Sequence, residues 1–173
     1  MDDLTLTEAT ADDSEFAYQT KKAAFREYVQ QAGGWCEEEQ RWQHERRFAS
    51  QDFRVIRWKG TPVGILAVVL ETDGLKLNQL FVRPEYQGRG IGTACMKQVI
   101  SEACCLGRPI RLRVLKVNDR ALAFYRRLGF AVVGETGTHI LMEMATESIP
   151  DLRLPTAQPD SKNHEKTRSR HMD

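Results

Sequence analysis

The stretch from Gln79 to Thr93 (QLFVRPEYQGRGIGT) constrains the fold more than any other part of this chain. An apolar, strand-like segment stops at Arg83-Pro84 and a turn follows. Gln87-Gly88-Arg89-Gly90-Ile91-Gly92 then leads straight into a run with helical periodicity. A strand, a glycine turn and a helix start in that order build a site for an anionic group from backbone N–H groups. Glycines let the backbone approach an anion closely, and the first amides of a helix lack internal partners and sit at its positive end. The register excludes two familiar phosphate loops. Gly88, Gly90 and Gly92 are spaced by two, with Thr93 where the dinucleotide fingerprint needs its last glycine, and the Gly-Lys-Ser/Thr ending of a nucleoside triphosphate loop is absent. What is met is Gln/Arg-x-x-Gly-x-Gly, by Gln87, Gly90 and Gly92. By itself the turn could also be a plain connection capped by glycines.

A second segment, Val117 to Phe130 (VNDRALAFYRRLGF), follows in the right order with a strand candidate between. Asn118 or Asp119 can cap a short helix and Gly129 can end it. Leu122, Tyr125 and Leu128 form a stripe at helical spacing that would serve equally as core. With both segments in place, the chain from about Leu4 to Ala145 resembles the GNAT superfamily of acetyl-CoA-dependent N-acetyltransferases. The turn matches that family's pyrophosphate-binding motif, and Asn118 to Phe130 matches its Asn-x(6)-Tyr-x-x-x-Gly-Phe pattern.

The remaining patterns agree with that order. Leu4 to Thr7 alternates as a strand. A helix runs from caps at Thr10 to Ser14 as far as about Gln31, with Phe16, Thr20, Ala24 and Tyr28 on one face and Phe25 and Val29 beside them. Gly33-Gly34 breaks it, and Glu37 to Phe48 reads as a second, more polar helix. Asp52–Trp58 and Thr61–Leu70 are strands around Lys59-Gly60, a two-residue hairpin signal. Leu75–Val82 is a third long strand, followed by a helix from about Gly90 to Leu106. Ile110–Leu115, Phe130–Val133 and His139–Met144 are the last strands. The order β-α-α-β-β-β-α-β-α-β-β is not the strict alternation of a doubly wound sheet. It predicts an α/β (α+β) fold of GNAT type, with a mixed, mostly antiparallel sheet and helices on both faces. Residues 1–146 form the expected acetyltransferase domain. Residues 147–173, polar and rich in proline, are expected to be a mobile tail.

Composition narrows the partners. Lys plus Arg number 25 against 24 Asp plus Glu, so no basic stripe points to nucleic acid. The acidic start MDDLTLTEATADD is unlike a signal peptide, and no apolar run suits a membrane span. A soluble, cytoplasmic protein is the expectation. Cys36, Cys95, Cys104 and Cys105 lack metal-ligand spacing, and neither a metal nor a disulfide is assigned.

The resemblance implies acetyl-CoA as co-substrate, held by Gln87, Gly88, Arg89, Gly90, Ile91, Gly92 and Thr93 at its pyrophosphate. Leu80, Phe81 and Val82 would pair their main chain with its pantetheine arm, as a peptide adds to a sheet edge. Asn118 would hold the arm by its amide. Tyr125 matches the tyrosine that gives a proton to the departing thiolate; a phenol suits this because its pKa lies near or above that of a thiol. The general base is less legible. Lys76 and Arg113 stand where several relatives carry glutamate, leaving Glu71, Glu135, His139 or a water relay, and His139 titrates in the useful range. Tyr28, Trp35 and Glu38, with Trp42 nearby, suggest a cationic amine held by aromatic faces and charge. The implied activity is direct acetyl transfer to a small, amino acid-like amine. The alternatives are a protein N-terminus or lysine as acceptor, or a non-catalytic acyl-CoA sensor. A homodimer is common among similar proteins.

Overall fold

Alternating apolar residues make one seven-stranded sheet, and the turns between them decide its order. In the computed structural model, which describes residues 3–145, the strands are β1 (Leu4–Glu8), β2 (Phe53–Trp58), β3 (Thr61–Glu71), β4 (Gly74–Val82), β5 (Ile110–Leu115), β6 (Ala131–Glu135) and β7 (His139–Met144). The tail expected after residue 146 lies outside the described residues. Spatial order is β1-β2-β3-β4-β5-β7-β6, and every neighbouring pair is antiparallel except β4 and β5. Lys59 (φ 51°) and Gly60 (φ 78°) are both left-handed, which is the hairpin turn whose twist suits β2 and β3.

Helices α1 (Ser14–Ala32) and α2 (Glu37–Ser50) cover one face; α3 (Ile91–Leu106) and α4 (Asp119–Arg127) cover the other. The larger core lies under α3 and α4. Its helix side is the stripe Ile91, Cys95, Met96, Val99 and Ala103, and its sheet side includes Leu75, Leu77, Ile110, Leu112 and Val114. Burying such side chains is worth about 1.5–3 kcal/mol each relative to exposure. Gly92 lets the two helices meet: a Cβ there would stand 3.4 Å from the Phe124 ring.

The face of α1 differs from the expected stripe. Ala17, Tyr18, Thr20 and Lys21 are buried, whereas Phe16 is only half-buried. The cause is α2, which folds back over α1. Tyr18 donates its hydroxyl to Glu37 Oε1 (2.7 Å), and the Arg41 guanidinium stacks 4.1 Å from its ring centre. Lys22 Nζ and Trp35 Nε1 also donate to Glu37, at 2.9 and 2.8 Å, and these contacts hold its carboxyl down to a pKa of about 2. His44 is buried between the two helices, with Nε2 3.0 Å from the Ser14 carbonyl.

Candidate active site

The site begins where a ladder ends. β4 and β5 pair in parallel only at Leu75↔Ile110, Lys76↔Arg111 and Leu77↔Leu112. Beyond Leu77 the two strands part. At the same point the β3–β4 register shifts, Ala67 opposing Gln79 and Val68 opposing Leu77, so Asn78 is the extra residue of a bulge. A bulge bends its strand and raises its twist, which swings the end of β4 away from β5.

That leaves an open main-chain edge. The Arg83 N–H donates to the Val63 carbonyl at 2.9 Å, so Arg83 faces β3. Amides alternate along a strand, so Phe81 also faces β3 while Leu80 and Val82 present theirs to the gap beside β5. The Val82 carbonyl confirms this orientation by accepting from Gln87 Nε2 (2.8 Å) outside the ladder. Phe81 therefore contributes its ring, which packs 5.0 Å from Phe25, rather than a free amide.

The edge runs into the glycine turn. Gly88 (φ 73°) and Gly90 (φ 78°) adopt left-handed conformations that L side chains resist, and Gly90 caps α3. The first helical bond is Ala94 N–H to Gly90 O (3.0 Å), so the amides of Ile91, Gly92 and Thr93 are unpaired within the helix. Gln87 ties the turn down, its Oε1 accepting from Arg120 Nη1 at 2.9 Å. Arg89 turns its side chain the other way, toward Trp58 and Tyr86, with its guanidinium 5.4 and 5.6 Å from their ring centres.

Turn, edge and α4 line one cleft of about 1210 Å³ that continues beneath α1 and α2. Asn118 lines the cleft and caps α4 by accepting from the Ala121 N–H (3.0 Å), and its amide NH₂ has no protein partner among the described residues. Tyr125 is buried against Phe124 and Phe130, and desolvation pushes its phenol well above the usual tyrosine range. The phenol thus stays protonated at any physiological pH, and its residue lines the cleft.

His139 lines the cleft from β7, opposite Leu115 in register. Its Nδ1 lies 2.8 Å from Thr138 Oγ1, and burial together with the Arg113 charge lowers its pKa. Glu71 also lines the cleft but is bound by Lys76 (3.1 Å); Glu135 pairs with Lys116 (3.3 Å) and is not in the lining. Tyr28 lines the cleft, while Trp35 and Glu38 do not. Trp35 is engaged with Glu37, and Trp42 is 56% exposed with Arg46 over its ring.

Some cleft residues escaped the sequence reading. Lys21, Arg47 and Gln79 all line it, and Gln79 is buried with neither side-chain atom hydrogen-bonded. The available signal was Lys21, a lysine four residues after Ala17 and three before Ala24 on the covered face of α1.

The sheet splits between two parallel strands, with a glycine turn and helix amides at the mouth of the split, an arrangement that suits a long ligand with an anionic group. The chain belongs to the acetyltransferase (GNAT) family, whose model matches residues 14–130. It is 37% identical over 86 residues to an N-acetyltransferase of Methanocaldococcus jannaschii whose function is uncharacterized, covering 45% of this chain and 38% of that protein. It is also 32% identical over 98 residues to the spermidine N(1)-acetyltransferase of Escherichia coli strain K12, covering 54% of this chain and 49% of that enzyme. The match thus spans half or less of these curated relatives. Among solved structures, the PaiA N-acetyltransferase of Thermoplasma acidophilum in complex with coenzyme A superposes with a TM-score of 0.69 at 18% identity, over 82% of this chain and 98% of that one. Among the described residues, no helix is long and apolar enough to cross a membrane, and no three His, Cys, Asp or Glu side chains gather to hold a metal ion.

Proposed function

We propose that the chain transfers an acetyl group from acetyl-CoA directly to the amine of a small molecule. The observation that carries this reading is the continuity of the open β4 edge, at Leu80 and Val82, with the unpaired amides that follow Gly90. Main-chain groups in that arrangement suit a pantetheine arm along the edge and a pyrophosphate at the turn, and the Asn118 amide suits a carbonyl of the arm. Bound acetyl-CoA supplies a thioester, an acyl donor with a good leaving group.

The protein groups then divide the labour. An amide N–H of Leu80 or Val82 polarises the thioester carbonyl, in the manner of an oxyanion hole. His139, kept neutral by burial and by Arg113, takes the proton that the acceptor amine must lose. Tyr125, kept protonated, gives its proton to the departing sulfur. Of the residues read as substrate-binding, Tyr28 lines the cleft from α1, which supports its contact with the acceptor. Trp35, bonded to Gln30 and Glu37, sets the α1–α2 connection behind it, and Glu38 stands outside the cleft lining.

The test is acetyl-CoA turnover with a panel of amines, products detected by mass, in the wild type and in Tyr125→Phe. We expect turnover to fall by about 10²- to 10⁴-fold in the variant, the range for a lost general acid, with acetyl-CoA affinity held within about twofold. Equal turnover in the two proteins removes Tyr125 from the chemistry. Tight acetyl-CoA binding with no product from any amine would make the protein an acyl-CoA sensor instead.

A further inference from the structure

The part of the cleft under α1 and α2 is unlike the part that faces the turn. Register places Arg111 and Arg113 on the same face of β5, opposite Glu143 and Leu141 of β7, with His139 beyond. The core residues Ile110, Leu112 and Val114 point to the other face. Arg111 is neutralised by Glu143 (2.6 Å) and by Asp73. Lys76 is neutralised by Glu71. Arg113 and Arg47, by contrast, have no acidic partner within 4.0 Å among the described residues.

Lys21 completes the group. It is 3% exposed, and among the described residues its Nζ donates to one partner, Gln40 Oε1 at 2.8 Å, although an ammonium carries three donors. The three cations feel one another. Burial, and after it the Arg47 charge, brings the Lys21 pKa down to about 8, and burial, followed by the Arg113 charge, lowers that of Arg47. Gln79, nearly fully buried in the same cleft, leaves both its amide NH₂ and its carbonyl unused. Lys21 and Gln79 are buried with donors unused, and the half-buried Arg47 and exposed Arg113 stand on the same cleft, so an anion placed among them would satisfy those donors and offset the cost of burying Lys21.

We infer that the acceptor carries an anionic group, a carboxylate or a phosphate, close to its reactive amine, and that Lys21, Arg47 and Arg113 bind it. This rests on the acetyltransferase reading and narrows it to amino acid-like or phosphorylated amines. Polyamines, which bring only positive charge to this cleft, are excluded as good acceptors. The pyrophosphate of the cofactor does not account for these cations, because its turn lies at the far end of β4 and supplies its own amides.

The experiment uses the full chain, acetyl-CoA and matched amines: glutamate against 4-aminobutyrate, phenylalanine against phenethylamine, phosphoethanolamine against ethanolamine, and spermidine. Calorimetry of acetyl-CoA binding reports on the underlying reading, and the ratio of kcat/KM within each pair reports on the inference. The expected result is a preference of about tenfold or more for the member with the extra anion in at least one pair, as suits a hydrogen-bonded charge, with spermidine unused. Arg47→Gln and Arg113→Gln should then raise the acceptor KM by about tenfold while acetyl-CoA affinity stays constant. Arg113→Glu, on an exposed strand position, should shift the preference toward spermidine. Loss of acetyl-CoA binding in the wild type overturns both readings. Tight acetyl-CoA binding overturns the inference alone if product forms but the pair members lacking the extra anion, or spermidine, are preferred, or if the two glutamine variants weaken acetyl-CoA as much as the acceptor; tight binding with no product from any amine overturns both.

Discussion

On the turn side of the cleft the polar groups of the lining are mostly main-chain amides, at Leu80, Val82 and Ile91 to Thr93. Under α1 and α2 they are side chains: Lys21, Gln40, Arg47, Gln79, Arg113 and His139, from five different elements. The first half needs only a strand that ends correctly and glycines that permit the turn, so one short stretch of sequence encodes it. The second exists only when α1, α2, β4, β5 and β7 are brought together. Its charges come from residues that would look solvated in isolation. Under the proposed function, the contrast separates what would hold the donor from what would choose the acceptor.

Substitutions at the two halves should therefore fail differently. The largest effect is expected from Gly90→Glu, which adds a carboxylate beside the helix amides at a backbone φ of 78°. Acetyl-CoA binding should fall by at least about 100-fold by calorimetry, given a like charge at an anion site. Retained affinity, with circular dichroism unchanged, would remove the phosphate-turn assignment. His139→Ala addresses the other half. It should lower kcat by about 10²-fold, a modest share for a general base, and abolish the acid limb of the pH–rate profile. In the wild type that limb should lie below pH 6.5, since the folded pKa is depressed. A limb that persists in the variant assigns the base elsewhere.

Asn118 is the exception in the main-chain half, because it contributes a side chain and also caps α4. Asn118→Asp keeps an acceptor for the Ala121 N–H but loses the NH₂ donor. It should raise the acetyl-CoA KM several-fold with Tm unchanged, whereas Asn118→Ala should also cost about 1 kcal/mol of stability as a lost cap. If both variants bind acetyl-CoA normally, Asn118 is only a cap.

The smallest expected effect concerns His44, which supports the helix pair over the acceptor half. Burial depresses its folded pKa, so the unfolded chain takes up the proton first. Stability is then complete above pH 6.5 and declines as pH falls through that value toward the folded pKa, by at most about 1.4 kcal/mol per unit for one group. Glu15 and Glu37, held at about 2, act in a separate window, from 4.5 downward. Denaturant titrations of the wild type and His44→Gln between pH 7 and 5 would show a difference in slope, and identical slopes would mean that His44 does not contribute.

Much of the fold was legible because periodicity and turn residues are local. The strands Ile110–Leu115 and His139–Met144 and the hairpin at Lys59-Gly60 needed no knowledge of neighbours. The face of α1 was misread because Tyr18 and Lys21 are polar by type and are buried by α2, a tertiary event. Trp35 and Trp42 attracted attention as aromatics, yet one is tied to Glu37 and the other stacks beneath Arg46 in solvent. Aromatic character alone does not reveal which side of a helix faces a cleft.

Family membership, the order of elements along the chain and the glycine turn follow from residues adjacent in the chain, since their physics is set by spacing, backbone freedom and helix ends. Tertiary structure alone decided that β4 leaves β5 after Leu77, because a bulge acts through its partner strand. It alone set Lys21, Arg47 and Arg113 around one space with no acid paired to them among the described residues. Electrostatic energy depends on distance and burial, and neither can be read from the order of residues.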